Sequence, residues 1–186
     1  MRPHLQASRR ACSARIDAAY TRIQETAAPS AAATDQGVLE TMTGPQTTCP
    51  IAASLELLGE KWTLLILRDI HRGICRFSDL EESLGCPRSV LSARLRKLVE
   101  HDILRVEPYR EPGRRQRHAY TLSTKGRDLV LVLAALQQWG LKHLPDVAPI
   151  APEPVHLGCG SPVEARLSCR RGHHVEAEAV GLPEWP

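Results

Sequence analysis

The sequence has few aromatic residues and lacks any long apolar run. Only 4% of its 186 residues are aromatic, so Leu, Val, Ile and Ala must fill the core. The longest apolar run, residues 129–136, spans eight residues, whereas a membrane-spanning helix needs about 18 or more. The first twenty residues are basic but lack the apolar segment of a secretory signal. We therefore expect a cytoplasmic protein that has no membrane among its partners.

The sequence also lacks the motifs of the common enzyme classes. It contains neither a Gly-rich phosphate loop nor a G-x-S-x-G motif, and strands and helices do not alternate as in a cofactor-binding sheet. The sequence places no general base beside any of the six cysteines. We therefore expect a protein that is not an enzyme and requires no cofactor.

Positive charge is concentrated in two places. The whole chain carries a net charge of only +3. Four basic residues and no acidic residue lie between Arg88 and Lys97, and four arginines accompany one glutamate between Arg110 and Arg117. Such clusters in a nearly balanced chain predict one basic face directed at a polyanion.

The order of predicted elements indicates a winged helix-turn-helix, a mainly α fold with a small β-wing. Short helices separated by glycine-containing breaks come first, and two alternating strands joined by the basic loop 110–117 follow. A long helix then runs from about residue 124 to 144. We predict four regions: a poorly structured leader (1–48), a DNA-binding and dimerisation domain (49–144), a Pro-rich linker (145–155) and a small Cys- and His-containing tail (156–186).

The fourth predicted helix carries the functional interpretation. At 100° per residue, Leu91, Leu95 and Leu98 share one arc and must face the core. The opposite face is small, hydroxylic and cationic, which suits the major groove of DNA, although an ordinary solvated surface is the alternative. The basic loop favours DNA, because wings of this kind reach the minor groove or the backbone. Predicted base-edge contacts are Ser89, Ser92, Ala93 and Arg96; predicted phosphate or minor-groove contacts are Arg94, Lys97, Arg114, Arg115 and Arg117.

Several segments together resemble the HxlR family of bacterial winged-helix regulators, which is related to the MarR group. They are Cys49-Pro50, GEKWTLLILRD (59–69), RFSDL (76–80), LSARL (91–95), YTLSTKG (120–126) and Trp139-Gly140. The resemblance implies a sequence-specific transcriptional regulator, a repressor, that binds double-stranded DNA at an inverted-repeat operator as a homodimer. The alternative is a winged-helix module that dimerises without reading DNA, but such a module would not need a cationic helix and wing.

The last predicted helix independently suggests a dimer. Residues 129–136 are apolar on every side, whereas one domain core covers only one side of a helix. We predict an interface that includes Leu133, Leu136 and Trp139. The alternatives are that the first helix of the same subunit covers this surface, or that Trp139 belongs to the core. A small-molecule effector is a further candidate partner.

Cys49 is a candidate redox-sensing residue. It stands at the start of the first predicted helix, where exposed N–H groups favour a thiolate. In the HxlR family, some members sense electrophiles or oxidants through a cysteine at the matching position before the first helix. The alternative is a small hydrophobic packing residue.

The tail contains a candidate zinc site. His156 and Cys159 form one pair at short spacing, and Cys169 and His173 form a second. Two sulfur and two nitrogen ligands would suit tetrahedral zinc in a zinc-ribbon-like tail. The alternative is a metal-free β-hairpin in which residues 163–167 pair with residues 175–180.

Overall fold

The computed structural model describes residues 49–110, 116–144, 146 and 152–182. The predicted leader, most of the predicted linker, and Arg114 and Arg115 of the wing lie outside these residues. Contacts divide the chain into two units, one ending at Ser123 and the other beginning at Thr124. The sequence analysis assigned the last helix to the same domain as the wing, and that assignment stays a prediction.

The first unit begins with four short helices whose ends follow the local sequence. They are α1 (Pro50–Leu58), α2 (Lys61–His71), α3 (Phe77–Leu84) and α4 (Arg88–Glu100). Pro50 occupies the first position of α1, where a missing N–H is tolerated. Gly85 ends α3 with φ 61°, a left-handed conformation that favours glycine. The predicted succession of helices and glycine breaks is confirmed.

Helices α2, α3 and α4 share one apolar core. Their fully buried apolar side chains are Ile66, Leu67 and Ile70 from α2, Leu80 from α3, and Leu91, Leu95 and Leu98 from α4. Asp69 is also fully buried, and its carboxylate accepts hydrogen bonds from Ser83 Oγ (2.7 Å) and Arg68 Nε (2.8 Å). A buried carboxylate must have such partners, so this polar link fixes α3 against α2.

Two antiparallel strands form the stem of the wing. Strand β1 (Leu104–Tyr109) pairs with β2 (Arg117–Leu122), and the register runs from Leu104 opposite Leu122 to Tyr109 opposite Arg117. Tyr109 and Ala119 are buried, whereas Arg117 is exposed where the strands open toward the loop. The predicted fold, mainly α with a small β-wing, is confirmed.

The second unit contains the long helix α5 (Thr124–His143) and the tail. The Gln138 amide accepts a hydrogen bond from the backbone N–H of Ala165 (2.8 Å) and donates one to its carbonyl (3.3 Å), which ties the tail to α5. The predicted hairpin is wrong for its second strand, because residues 177–179 form a turn of 3₁₀-helix. Isolated bridges join Val155 to Pro162 and Ser168 to His174. None of the helices that the structure describes is long and apolar enough to cross a membrane.

Candidate nucleic-acid interface

The outer face of α4 is open and has the chemistry of a DNA-reading surface. Ser89, Ala93 and Arg96 are exposed, and Ser92 is half-buried beside them. None of the described residues hydrogen-bonds to Arg96 or forms an ion pair with it. The small side chains allow the helix to approach base edges closely, and the guanidinium remains available for a bidentate contact.

Two of the predicted DNA contacts instead have partners within the first unit. Arg94 Nη2 lies 3.1 Å from Glu60 Oε1, and Lys97 Nζ donates a hydrogen bond to the carbonyl oxygen of Glu56 (2.7 Å). Arg94 and Lys97 lie on a flank of α4 that meets the junction between α1 and α2. The sequence analysis assigned both to phosphate or minor-groove contacts because their partners lie far away in the sequence, and no short-range spacing reveals them.

The wing contributes further cationic side chains near its stem. Arg117 is exposed, as the predicted contact requires. Arg105 on β1 is also exposed and was missed by the sequence analysis, because one arginine in an alternating strand is an ordinary outward-facing residue. The stem therefore presents cations from both strands, as a surface directed at a polyanion requires.

Helix α5 has an apolar stripe that the second unit leaves uncovered. Leu131 is 66% exposed, Leu136 50% and Trp139 57%. Together with Val132 and Ala135 they occupy one face at helical spacing, and we call these five residues the α5 stripe. The predicted interface residue Leu133 is partly buried and lies off the stripe, whereas Leu136 and Trp139 belong to it.

Cys49 occupies the N-cap position of α1. Its side chain is half-buried, its thiol is free, and its carbonyl accepts the backbone N–H of Ala53 (3.1 Å). The predicted placement at a helix N-terminus is confirmed, and its role in sensing stays a prediction.

The structure places a second unusual thiol in the tail. Cys159 is exposed, and its Sγ lies 3.1 Å from Nδ1 of His156. Hydrogen bonding from the Ser161 side chain, followed by that from His156, lowers the pKa of Cys159 to about 7. Because the thiolate is the reactive form of cysteine, Cys159 should be nucleophilic near neutral pH.

The four predicted zinc ligands are not gathered into one site. His156 contacts Cys159, and the backbone N–H of Cys169 bonds to the carbonyl of His173 (3.0 Å). Within the described ranges, however, no group of three or more His, Cys, Asp and Glu side chains is arranged to hold a metal ion. The geometry therefore does not fit the predicted tetrahedral site, and we derive no step through zinc.

The lowered pKa makes a direct prediction for Cys159. Its alkylation rate by iodoacetamide should rise with a midpoint near pH 7, because the thiolate fraction rises through the pKa of about 7. Replacing His156 with alanine should move that midpoint to higher pH, because one hydrogen bond to the thiolate is lost. Peptide mass spectrometry measures the rate at each pH, with Cys169 as the internal comparison. Equal midpoints for Cys159 in the parent protein and in His156→Ala would contradict the assigned cause.

Comparison with known proteins identifies the family. The profile of the HxlR-like helix-turn-helix family matches residues 57–148. An uncharacterized HTH-type transcriptional regulator of Mycobacterium tuberculosis is 42% identical over 134 residues, covering 70% of this chain and 82% of that protein. The chain belongs to the HxlR-like helix-turn-helix family. The HTH-type transcriptional regulator YodB of Bacillus subtilis is 32% identical over 95 residues, covering 50% of this chain and 83% of YodB.

Solved structures place this HxlR-like chain among transcription factors as well. The crystal structure of PA1607, described as a candidate transcription factor, superimposes with a TM-score of 0.64 at 33% identity, covering 74% of this chain and 96% of PA1607. The corresponding structure of PA1374 from Pseudomonas aeruginosa gives a TM-score of 0.51 at 34% identity. The HxlR-like chain is thus a transcriptional regulator with a helix-turn-helix DNA-binding fold, a class distinct from enzymes.

Proposed function

We propose that this HxlR-like regulator is a homodimeric repressor that reads an inverted-repeat operator with α4. The observation that carries the proposal is the open face of α4, where Arg96 has no partner among the described residues while the flanking cations are held inside the first unit. A helix whose only uncommitted cation stands among small side chains suits base readout better than diffuse attraction to phosphates.

Base recognition is assigned to the exposed residues of α4. An arginine pairs bidentately with O6 and N7 of guanine, and serine hydroxyls accept or donate to several base edges. In helix-turn-helix proteins the N-terminal part of the recognition helix contacts the bases. Ser89, Ser92, Ala93 and Arg96 satisfy both conditions, and acidic Glu100 ends the helix where the groove contact stops. Arg117 and Arg105 on the wing are assigned to the flanking DNA.

The α5 stripe supports dimerisation through a two-fold axis. A stripe of this kind on a soluble protein marks an interaction surface. Exposed Asp128 precedes the stripe and exposed Lys142 follows it. If two copies of α5 pack antiparallel, each Asp128 comes near Lys142 of the other copy, so the surface is complementary to itself, as a two-fold interface requires. A dimer that covers an operator at a promoter represses by excluding RNA polymerase.

A selection from random DNA tests the proposal. The full-length protein is mixed with a library of random duplexes, and the bound fraction is sequenced over successive rounds. We expect an inverted repeat whose half-site centres are about 10 base pairs, one helical turn, apart. Enrichment of one asymmetric half-site would contradict the dimer. No enrichment over the starting library would contradict operator recognition and favour a winged-helix module that does not read DNA.

Thiol control through Cys49 is a further part of the proposal. Cys49 is a half-exposed free thiol at the helix N-terminus, where a thiolate is favoured. Oxidation of the parent protein by a mild thiol oxidant should release the operator, and Cys49→Ser should bind it with or without the oxidant. Release from Cys49→Ser but not from Cys159→Ser would assign the response to the tail instead.

A further inference from the structure

The junction between α1 and α2 contacts the recognition helix through Lys97. Lys97 Nζ donates to the carbonyl oxygen of Glu56 at 2.7 Å. Glu56 lies in the last turn of α1, where backbone carbonyls lack partners within the helix. A cation at this end also complements the helix dipole. Lys97 therefore caps α1 from α4.

Arg94 makes the second contact, one turn earlier on the same flank of α4. Its Nη2 lies 3.1 Å from Oε1 of Glu60, the N-cap residue of α2, where a carboxylate is favoured by the helix dipole. Arg94 is 24% exposed, and its Nε is buried with no hydrogen-bond partner among the described residues. A partly satisfied, partly buried guanidinium is a poor source of stability, so the contact is better explained by the geometry that it imposes.

The junction itself is a tight backbone turn. The N–H of Gly59 bonds to the carbonyl oxygen of Leu55 at 2.7 Å, and a Cβ at position 59 would lie only 2.5 Å from that oxygen. No side chain fits there unless the backbone moves. Glu56 and Glu60 are thus presented to α4 from a turn that has little freedom to adjust.

We propose that Arg94 and Lys97 are positioning residues, which hold α4 against the α1–α2 junction and set the angle at which Ser89, Ala93 and Arg96 enter the major groove. This inference rests on the proposed function, since it concerns how that helix reads DNA. It replaces the direct phosphate contacts that the sequence analysis assigned to Arg94 and Lys97. The two assignments differ in what they predict for specificity and for salt dependence.

A charge exchange between Arg94 and Glu60 tests the first contact. Affinity is measured for the selected operator and for a scrambled duplex of equal length. Arg94→Glu should lower the ratio of the two affinities about tenfold, an effect typical of coupled neighbours. The double variant Arg94→Glu with Glu60→Arg should recover the parent ratio within about threefold, because the ion pair is restored in the opposite sense. Loss of folded protein alone would lower both affinities equally and leave the ratio unchanged.

Arg96→Glu is the matched control, because it makes the same charge change on the open face of α4. Adding Glu60→Arg to it should restore nothing, since Arg96 has no contact with Glu60. The inference is overturned if the double variant at positions 94 and 60 is no better than Arg94→Glu, or if Glu60→Arg rescues Arg96→Glu equally well.

Lys97→Met tests the second contact and keeps most of the side-chain length. A phosphate contact would lower the slope of log affinity against log salt by about 0.9 and weaken all duplexes alike. A positioning residue leaves that slope unchanged and lowers the operator-to-scrambled ratio, which is the result we expect. The reduced slope with an unchanged ratio would overturn the inference. A parent protein that prefers no duplex would instead refute the proposed function itself.

Discussion

Replacing Leu136 with glutamate is expected to convert the dimer to a monomer and to weaken operator binding by about a hundredfold or more. Leu136 lies within the α5 stripe and is 50% exposed in the single chain, so the change should disturb the subunit fold little. Across a two-fold axis, however, it would bury charge against apolar side chains. A monomer also loses the gain of roughly 10²–10⁴ that linking two binding modules provides.

Analytical ultracentrifugation measures the assembly state, and fluorescence anisotropy with the selected operator measures the affinity. Leu157→Glu is the matched control, because Leu157 is a 95% exposed leucine in the tail, away from the stripe. The control should stay dimeric and bind like the parent protein. A Leu136→Glu protein that sediments as a dimer would remove the α5 stripe from the interface.

Replacing Arg96 with alanine is expected to weaken operator binding by roughly 5- to 150-fold, which corresponds to about 1–3 kcal/mol for one bidentate base contact. Preference should relax at one position in each half-site, because the base that Arg96 reads is no longer discriminated. The scrambled duplex should lose much less affinity. Unfolding should be nearly unaffected, since Arg96 is exposed and has no partner among the described residues.

Anisotropy titrations with operators carrying single base changes locate that position. Arg170→Ala in the tail is the control for the loss of one exposed positive charge. If Arg96→Ala and Arg170→Ala weaken the operator equally, the major-groove assignment of Arg96 is wrong, and general electrostatics explains the binding.

The helices and the wing could be predicted because their signals are local. Leu91, Leu95 and Leu98 recur at helical spacing, so the sequence alone separates the buried and open faces of α4, and all three are buried. Gly59 and Gly85 mark helix ends through backbone constraints that act within a few residues. The strands alternate, and the structure begins β1 and β2 within one residue of the predicted starts.

The roles of Arg94 and Lys97 depended on contacts that no local pattern reveals. On a helical wheel both residues border the cationic face, and only the fold brings Glu60 and the carbonyl of Glu56 to them. The tail failed for a related reason. The spacing of Cys and His residues permits a zinc site, but spacing does not determine whether two loops converge, and the described residues do not converge around a metal site.

The central claim is that the open face of α4 reads one DNA sequence, and binding by the parent protein as a function of salt tests it most directly. Anisotropy is measured for the selected operator and the scrambled duplex at several salt concentrations. We expect both affinities to fall steeply with salt, while the operator remains about a thousandfold or more tighter at physiological salt. Equal affinities for the two duplexes at every salt concentration would contradict sequence reading by α4 and leave only electrostatic attraction.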